Sequence, residues 1–406
     1  MSRHRARRQR ALVPLARIRL DRTGTSRSVT EAVREIPLSR PWLDEREEEL
    51  VLEVLRSGRL SLGPWIDRFE EQVAERVGAP YAAALSSGTA GLHLLCKIAE
   101  LGTGDEVITS PLSFVSSANC FILEGATPVF ADVDPVTLNL DPAAVEAAIT
   151  ERTRAIVPVD MFGLPCELDE LRTIADRNGL ALIEDACESL GAEYRGRPLG
   201  AHGPSAVFAF YPNKQMATGE GGIVTTHSED EWQLLRSLRN QGRSYDGGGG
   251  WFHHVRVGMN YRWTDIQAAI GLAQLEKLDR ILELREAAAA RYGELLEDVG
   301  GVETPFAGDG DHKRSWFVYV VKLDADLDRA AVMDALRREG VATAEYVPCI
   351  HLQPYMQERY RFAAGLCPVA EEVSRRTLAL PFFTQIEASD QHRVVEVLSA
   401  AVANAA

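Results

Sequence analysis

Lys214 is the first residue that suggests chemistry. It closes the aromatic segment Ala209-Phe210-Tyr211-Pro212-Asn213-Lys214 and is followed by Thr218-Gly219-Glu220-Gly221-Gly222. Lysine is rarely buried without a partner, and a desolvated lysine is a standard imine-forming nucleophile. The plain alternative is a surface lysine in a loop, and the aromatic and glycine neighbours weigh against it. Asp185 ends the apolar run Leu182-Ile183-Glu184-Asp185, ahead of Ala186-Cys187-Glu188. A carboxylate there could pair with a cationic ring nitrogen, or it could cap a following helix. Ser86-Ser87-Gly88-Thr89-Ala90 has small residues that let backbone N–H groups and the Thr89 hydroxyl meet an anion at a helix start. It could also be no more than an N-cap. Val257-Gly258-Met259-Asn260-Tyr261-Arg262 precedes Thr264 and Gln267, a pair with the form of a capping box. That leaves Asn260 and Arg262 as candidate ligands for phosphate or substrate.

These residues need elements to position them. Short apolar runs predict buried strands over 81–85, 106–109, 128–132, 155–159, 180–183, 206–211 and 222–226. Helical patterns occupy 44–56, 66–77, 91–101, 142–150 and 167–178. Such alternation implies βαβ units and an α/β fold, with a largely parallel sheet covered on both faces. The candidate segments fall at strand ends, and open parallel sheets bind ligands beyond the carboxyl ends of their strands. The glycine run at 247–250 reads as a flexible loop. A long helical stretch over 264–292, broken near Leu278, follows it. The remainder reads as α+β, with a strand over 316–323, a helix over 329–338 and a last helix after Ser389. The expected organisation is a basic extension over 1–35, a large domain over 36–285 and a smaller domain over 286–406, the boundary falling inside helix.

The chain has 406 residues, 46% apolar and 25% charged, and a net charge of −15. Residues 1–36 carry ten arginines against three acids, so the body is more acidic than the whole. An acidic body repels nucleic acid and anionic membranes, and neither is expected as a partner. The basic extension lacks sustained apolar periodicity and reads as disordered. It also lacks a secretory apolar core, and no window reaches the ~18 consecutive apolar residues of a membrane span. Six cysteines are scattered with no C-x-x-C pair. That pattern predicts reduced core cysteines, no metal site and a cytoplasmic location.

An anion loop, an aspartate at a strand end and a lysine 29 positions further on stand in the order found in fold-type I pyridoxal-phosphate enzymes. Over about 36–398 the chain resembles the sugar aminotransferases of the DegT/DnrJ/EryC1/StrS group. The resemblance rests on SGRLSLGP, SSGTAGLHL, GDEVITSPLSFVSSANCFILEGATPVFADVDP, LIEDACESLGA, FYPNKQMATGEGG, NYRWTDIQAAIGLAQLEKLD, YVPCIHLQPY and CPVAEE, in that order. It implies a large domain with a mostly parallel sheet between helices, a smaller C-terminal α+β domain, and pyridoxal 5'-phosphate as cofactor. By similarity, Lys214 carries the cofactor and shuttles a proton, and Asp185 pairs with the pyridinium nitrogen. Phe114 stacks on the cofactor ring. Gly88, Thr89 and Asn213 serve the phosphate, and Asn260 reaches it from the partner subunit of a homodimer with shared active sites. Glu188 stands where many relatives carry Gln or His near the cofactor's O3′. Arg262, Tyr346 and His351 are expected to face the sugar. Ala209 departs from the pattern, since many relatives have Ser there, and one neutral hydrogen bond is worth only ~0.5–1.5 kcal/mol.

The implied reaction is ping-pong transamination of a nucleotide-linked keto-sugar, of the 4-keto-6-deoxyhexose type, with L-glutamate as amino donor. Similar sugar 3-dehydratases carry His at the lysine position, so Lys214 disfavours dehydration. A 3-keto-sugar or keto-cyclitol substrate is the alternative within the enzyme class. A non-catalytic regulator on the same fold is the alternative outside it, and intact Lys214 and Asp185 oppose that reading.

Overall fold

A computed structural model describes residues 34–244 and 249–405. The extension expected over 1–35 lies, up to residue 33, outside the described residues, as do positions 247 and 248 of the glycine run. The first described helix, Glu45–Ser57, starts at a capping box between Asp44 and Glu47 and ends at the left-handed Gly58. Such caps satisfy the backbone groups that a helix start leaves unpaired. Its buried face is set by Leu50 and Val54. The next helix, Pro64–Val77, has Pro at its start and no side-chain cap of its own. Asp265 supplies the acceptors instead, taking the N–H groups of Gly63 at 2.8 Å and Trp65 at 3.1 Å.

Seven strands form the main sheet. Their spatial order is Tyr81–Leu85, Gly222–Thr226, Ser205–Ala209, Ala181–Asp185, Thr153–Val157, Glu106–Thr109 and Thr127–Phe130. Gly222–Thr226 pairs antiparallel with both neighbours, and the other pairings are parallel. Six strands therefore end at one edge, and the expected largely parallel sheet is present with one strand reversed. Alternate residues enter opposite cores. Ala82, Ala84, Ile156 and Phe208 pack on one face, and Ala83, Leu85, Val157 and Val207 on the other, as the two-residue period of a strand requires.

Beyond the helix Leu278–Leu296, an antiparallel sheet is ordered Val302–Glu303, Tyr319–Leu323, Thr377–Leu380 and Ala344–Glu345. Its own apolar core includes Trp316, Leu336, Phe382 and Leu398. The break expected near Leu278 falls at Lys277, between Asp265–Glu276 and Leu278–Leu296. The second of these helices runs through the boundary expected at 285/286.

Three strands are shorter than their apolar runs, Thr127–Phe130 among them, and two have local reasons. Tyr319–Leu323 begins after Trp316 and Phe317, whose carbonyls accept from the Arg285 guanidinium. Ser205–Ala209 stops before Phe210, whose N–H and C=O bond to Gly221 and Thr218 of the following loop. Among the described residues, no helix is long and apolar enough to cross a membrane.

Asp265 is fully buried and holds the start of a helix it does not belong to. Replacing it by Ala leaves two N–H groups without acceptors, at about 1–3 kcal/mol each. We expect Asp265→Ala to lower the unfolding free energy by about 2–4 kcal/mol, read from the urea midpoint at constant m. A loss below about 0.5 kcal/mol would show that water replaces the carboxylate there.

Candidate active site

The strand Tyr81–Leu85 delivers the chain to the helix Gly88–Ile98. Ser87 caps that helix by accepting from Ala90 N–H at 3.1 Å, so the plain N-cap reading of this segment holds for Ser87. The N–H groups of Gly88 and Thr89 remain at the open end of the first turn, where a helix favours an anion. A Cβ on Gly88 would lie 2.6 Å from Cys187 Sγ and 3.0 Å from Ala209 Cβ. Only glycine lets this turn approach both neighbouring segments.

Asp185 ends the strand Ala181–Asp185 and is 4% exposed. No helix follows, so it is not the helix cap that its sequence position allowed. Its Oδ2 accepts from Ser117 Oγ at 2.6 Å, and Ser117 shares a 2.7 Å bond with Ser113. Its Oδ1 accepts from Cys187 N–H at 3.3 Å. One hydroxyl, itself held by a second, and an amide thus do the work of water for a buried carboxylate. Sequence reasoning missed Ser113 and Ser117, although their spacing of four just beyond a strand end is a usable signal.

Lys214 follows the strand Ser205–Ala209. Its side chain is 12% exposed, with Nζ 3.6 Å from Glu188 Oε1 and 4.0 Å from the centroid of the Phe317 ring. The Lys214 carbonyl accepts from Arg285 at 3.2 Å. Glu188 Oε2 accepts from Phe162 N–H at 3.0 Å. Burial pushes the Glu188 carboxyl up, and the Lys214 charge opposes that shift. Asn213 Nδ2 donates to the Tyr346 hydroxyl at 3.5 Å, and its Oδ1 is buried with no partner. Phe114 lies 67% exposed in the segment after Glu106–Thr109.

The other candidates are placed differently. Asn260 is exposed, and its backbone bridges to Asn240, whose side chain accepts from Arg262 at 3.1 Å. Tyr346 packs near Phe162 and Phe317. His351 does not stand beside these groups. It is fully buried, and its Nε2 bonds to Glu371 at 3.0 Å. Thr264 and Gln267 form the capping box that their spacing suggests.

The arrangement offers an amine, a carboxylate and a helix start along one sheet edge. It suits a ligand with an anion at one end, a cationic ring nitrogen at the other and an electrophilic carbon between. The sequence model of the DegT/DnrJ/EryC1/StrS aminotransferase family matches residues 41–399. The chain belongs to this family. It is a pyridoxal-phosphate-dependent aminotransferase, as the family is. A curated relative is SpsC of Bacillus subtilis strain 168, a spore coat polysaccharide biosynthesis protein. It is 39% identical over 374 residues, covering 89% of this chain and 96% of SpsC. DesV of S. venezuelae, solved in complex with a ketimine intermediate, is 32% identical, with a TM-score of 0.84 over 90% of this chain and 98% of that one. Helicobacter pylori PseC, an aminotransferase involved in pseudoaminic acid biosynthesis, is 27% identical, with a TM-score of 0.87 over 91% and 100%.

A further carboxyl lies behind Asp185. Asp160 is fully buried, and its backbone N–H donates to the Asp185 carbonyl. Burial raises its carboxyl to about 6, against partial relief from Cys166 and Ser189. An acid raised in the folded state stabilises the fold while it is protonated. That contribution is complete below the ordinary value of 3.8 and is lost as pH rises through about 6. Between pH 5 and pH 7 we expect wild type to lose on the order of 1 kcal/mol that Asp160→Asn does not lose. Parallel pH dependence of the two proteins in urea titrations would contradict this.

Proposed function

We propose that Lys214 carries the cofactor of this aminotransferase and that the acceptor is a nucleotide-linked keto-sugar of the 4-keto-6-deoxyhexose type, with L-glutamate as donor. The observation that carries the reading is a half-buried lysine amine, in the segment after the strand Ser205–Ala209, and a buried Asp185 carboxylate at the end of the adjacent strand. The residues present suit pyridoxal phosphate. Gly88 lets the start of the helix Gly88–Ile98 approach the Cys187 and Ala209 segments where only glycine fits, and the first-turn N–H groups of a helix favour an anion. In this reading residues 36–285 form the cofactor-binding domain and 286–406 the smaller one.

Bound pyridoxal phosphate supplies an electron sink for the carbon that loses a proton. Gly88 and Thr89 hold the phosphate with backbone N–H groups and a hydroxyl, and Asn213 adds an amide. Asp185, kept in place by Ser117, orients toward the ring nitrogen and favours its protonated form. Phe114 offers a ring face for stacking. Lys214 Nζ takes the proton from the amino-bearing carbon of the donor. Arg262 and Tyr346 are the polar side chains we assign to the sugar side. The names of SpsC and PseC, which concern polysaccharide and pseudoaminic acid biosynthesis, support a sugar acceptor. A cytoplasmic location follows from such a substrate.

We also propose a homodimer with shared active sites, Asn260 serving the partner's phosphate. Large apolar side chains left exposed in one chain, among them Phe114, Trp251, Phe252 and Val257, support a covering second copy.

Three outcomes check these assignments. Lys214→Ala should give no visible cofactor band and no borohydride-fixed adduct by mass. An adduct at another lysine would overturn the assignment. A panel of 4-keto-sugar nucleotides, 3-keto-sugar nucleotides and keto-cyclitols, read by glutamate-dependent amination, then identifies the acceptor. Lys214→Ala and Asn260→Ala should each be inactive, whereas their equal mixture should recover about a quarter of wild-type activity, because half the dimers are mixed and each has one intact site. No recovery after verified subunit exchange would place Asn260 in its own chain's site or in none.

A further inference from the structure

Glu188 is the carboxylate joined to Lys214 by an ion pair among the described residues. Asp185 is engaged by Ser117 and by Cys187 N–H. The two oxygens of Glu188 are not equivalent. Oε2 is pinned by Phe162 N–H at 3.0 Å, and Oε1 is left facing the amine.

The pin is built at a cost. Phe162 presents its N–H from the left-handed region, at φ 55 and ψ 28. For a bulky non-glycine residue such a conformation costs on the order of 1–3 kcal/mol. It persists because its surroundings over-determine it. Arg314 Nη1 donates to the Phe162 carbonyl at 2.8 Å. Ser315 N–H donates to the Gly163 carbonyl at 2.9 Å. Asn139 Oδ1 accepts from Met161 N–H at 2.8 Å. Gly163 has φ 81, and a Cβ there would lie 1.9 Å from the Ser315 carbonyl oxygen. Gln215, the residue after Lys214, donates to the Glu188 carbonyl at 2.6 Å. The turn, the glutamate and the lysine loop are therefore fixed to one another.

We propose that Glu188 is the proton-holding partner of Lys214. The proposal rests on the reading of Lys214 as the cofactor-carrying lysine. While Lys214 bears a free ammonium, the Glu188 carboxylate balances its charge and the Phe317 ring face supports it. Before the nitrogen acts as nucleophile or base, one proton passes from Nζ to Oε1. The N–H bond breaks, its electron pair stays on nitrogen, an O–H bond forms, and the ion pair becomes a neutral amine beside a neutral carboxyl. The reverse transfer restores the pair. Burial favours the neutral pair, consistent with the upward displacement of the Glu188 carboxyl, and the ring face favours the charged one. A reversible proton store requires that neither form be strongly preferred.

The test uses the holoenzyme and Glu188→Gln, which keeps an acceptor for Phe162 N–H but cannot take a proton. Two spectroscopic readouts are followed from about pH 5 to pH 9. One is the pH titration of the cofactor band without substrate, and the other is the stopped-flow rate at which L-glutamate converts it. Wild type should show an acidic limb in the rate profile. E188Q should lose that limb, react at least ~100-fold more slowly and shift the band's titration midpoint by about one pH unit or more. Glu188→Asp should regain part of the limb. A wild-type profile in E188Q with a rate within about threefold would overturn the proposal. So would an E188Q thermal midpoint more than about 10 °C below wild type, which would make Glu188 part of the scaffold. If wild type itself shows no band when loaded with pyridoxal phosphate, the reading of Lys214 fails and takes this proposal with it. A normal wild-type band with an unchanged E188Q response sinks this proposal alone.

Discussion

Asp185 and the side chains of Glu188 and Lys214 are largely shielded from water at the carboxyl edge of the main sheet, so each charge placed there must be stabilised by the chain. Asp185 receives two oriented donors, one of them a serine that is itself hydrogen-bonded. Lys214 receives a carboxylate on one side and an aromatic face on the other. These partners come from separate segments. Ser117 follows the strand Glu106–Thr109, Phe162 follows Thr153–Val157, and Gly88 follows Tyr81–Leu85. Parallel strands with their ends at one edge are what let distant segments meet.

Two buried arginines carry that arrangement into the smaller sheet. Arg285 and Arg314 are 2% and 6% exposed, and neither is joined to a carboxylate by an ion pair among the described residues. Burial lowers them to about 10 and about 9, so both stay protonated at neutral pH. Their donors end on carbonyls, apart from Arg285 Nε, which donates to the Thr384 hydroxyl. Arg285 serves Lys214, Trp316 and Phe317, and Arg314 serves Phe162 and Phe306. Charge-assisted bonds of this kind are stronger than neutral ones. They join the lysine loop, the Glu188 turn and the entry to the strand Tyr319–Leu323 into one framework.

Much of this was legible from residue types. The runs 81–85, 106–109 and 222–226 coincide with strands, because apolar residues bounded by glycine, serine or proline leave little choice. The strand ends that precede Ser86–Ala90 and carry Asp185 were legible for the same reason. What was not legible depends on tertiary partners. Ser117 sits in a seven-residue helix without a side-chain cap, too short to show periodicity. Phe162 acts through its backbone N–H, which no side-chain pattern reveals. His351, expected to face the sugar, is instead buried with Glu371, twenty positions on, a partner that no local pattern reveals. Strand ends were misjudged where an arginine or a loop took the next carbonyls, since composition does not say where a guanidinium will arrive.

Neighbouring carboxyls on one strand meet opposite fates for a single reason. Glu184 and Asp185 point to opposite faces of the sheet. The face of Asp185 carries hydroxyls and leads to the lysine edge. The face of Glu184 carries no donor for it, as both its oxygens are buried without a hydrogen-bond partner. Burial, followed by the charge of Asp160, pushes Glu184 well above the ordinary carboxyl range. Protonated, Glu184 adds no negative charge beside Asp185. Three carboxyls can then share two adjacent segments of a buried sheet, because Glu184, which has no donor, favours the neutral form, while Asp185 accepts from Ser117 and Cys187 N–H and Asp160 from Cys166 and Ser189. Environment, and not residue type, divides the labour among them.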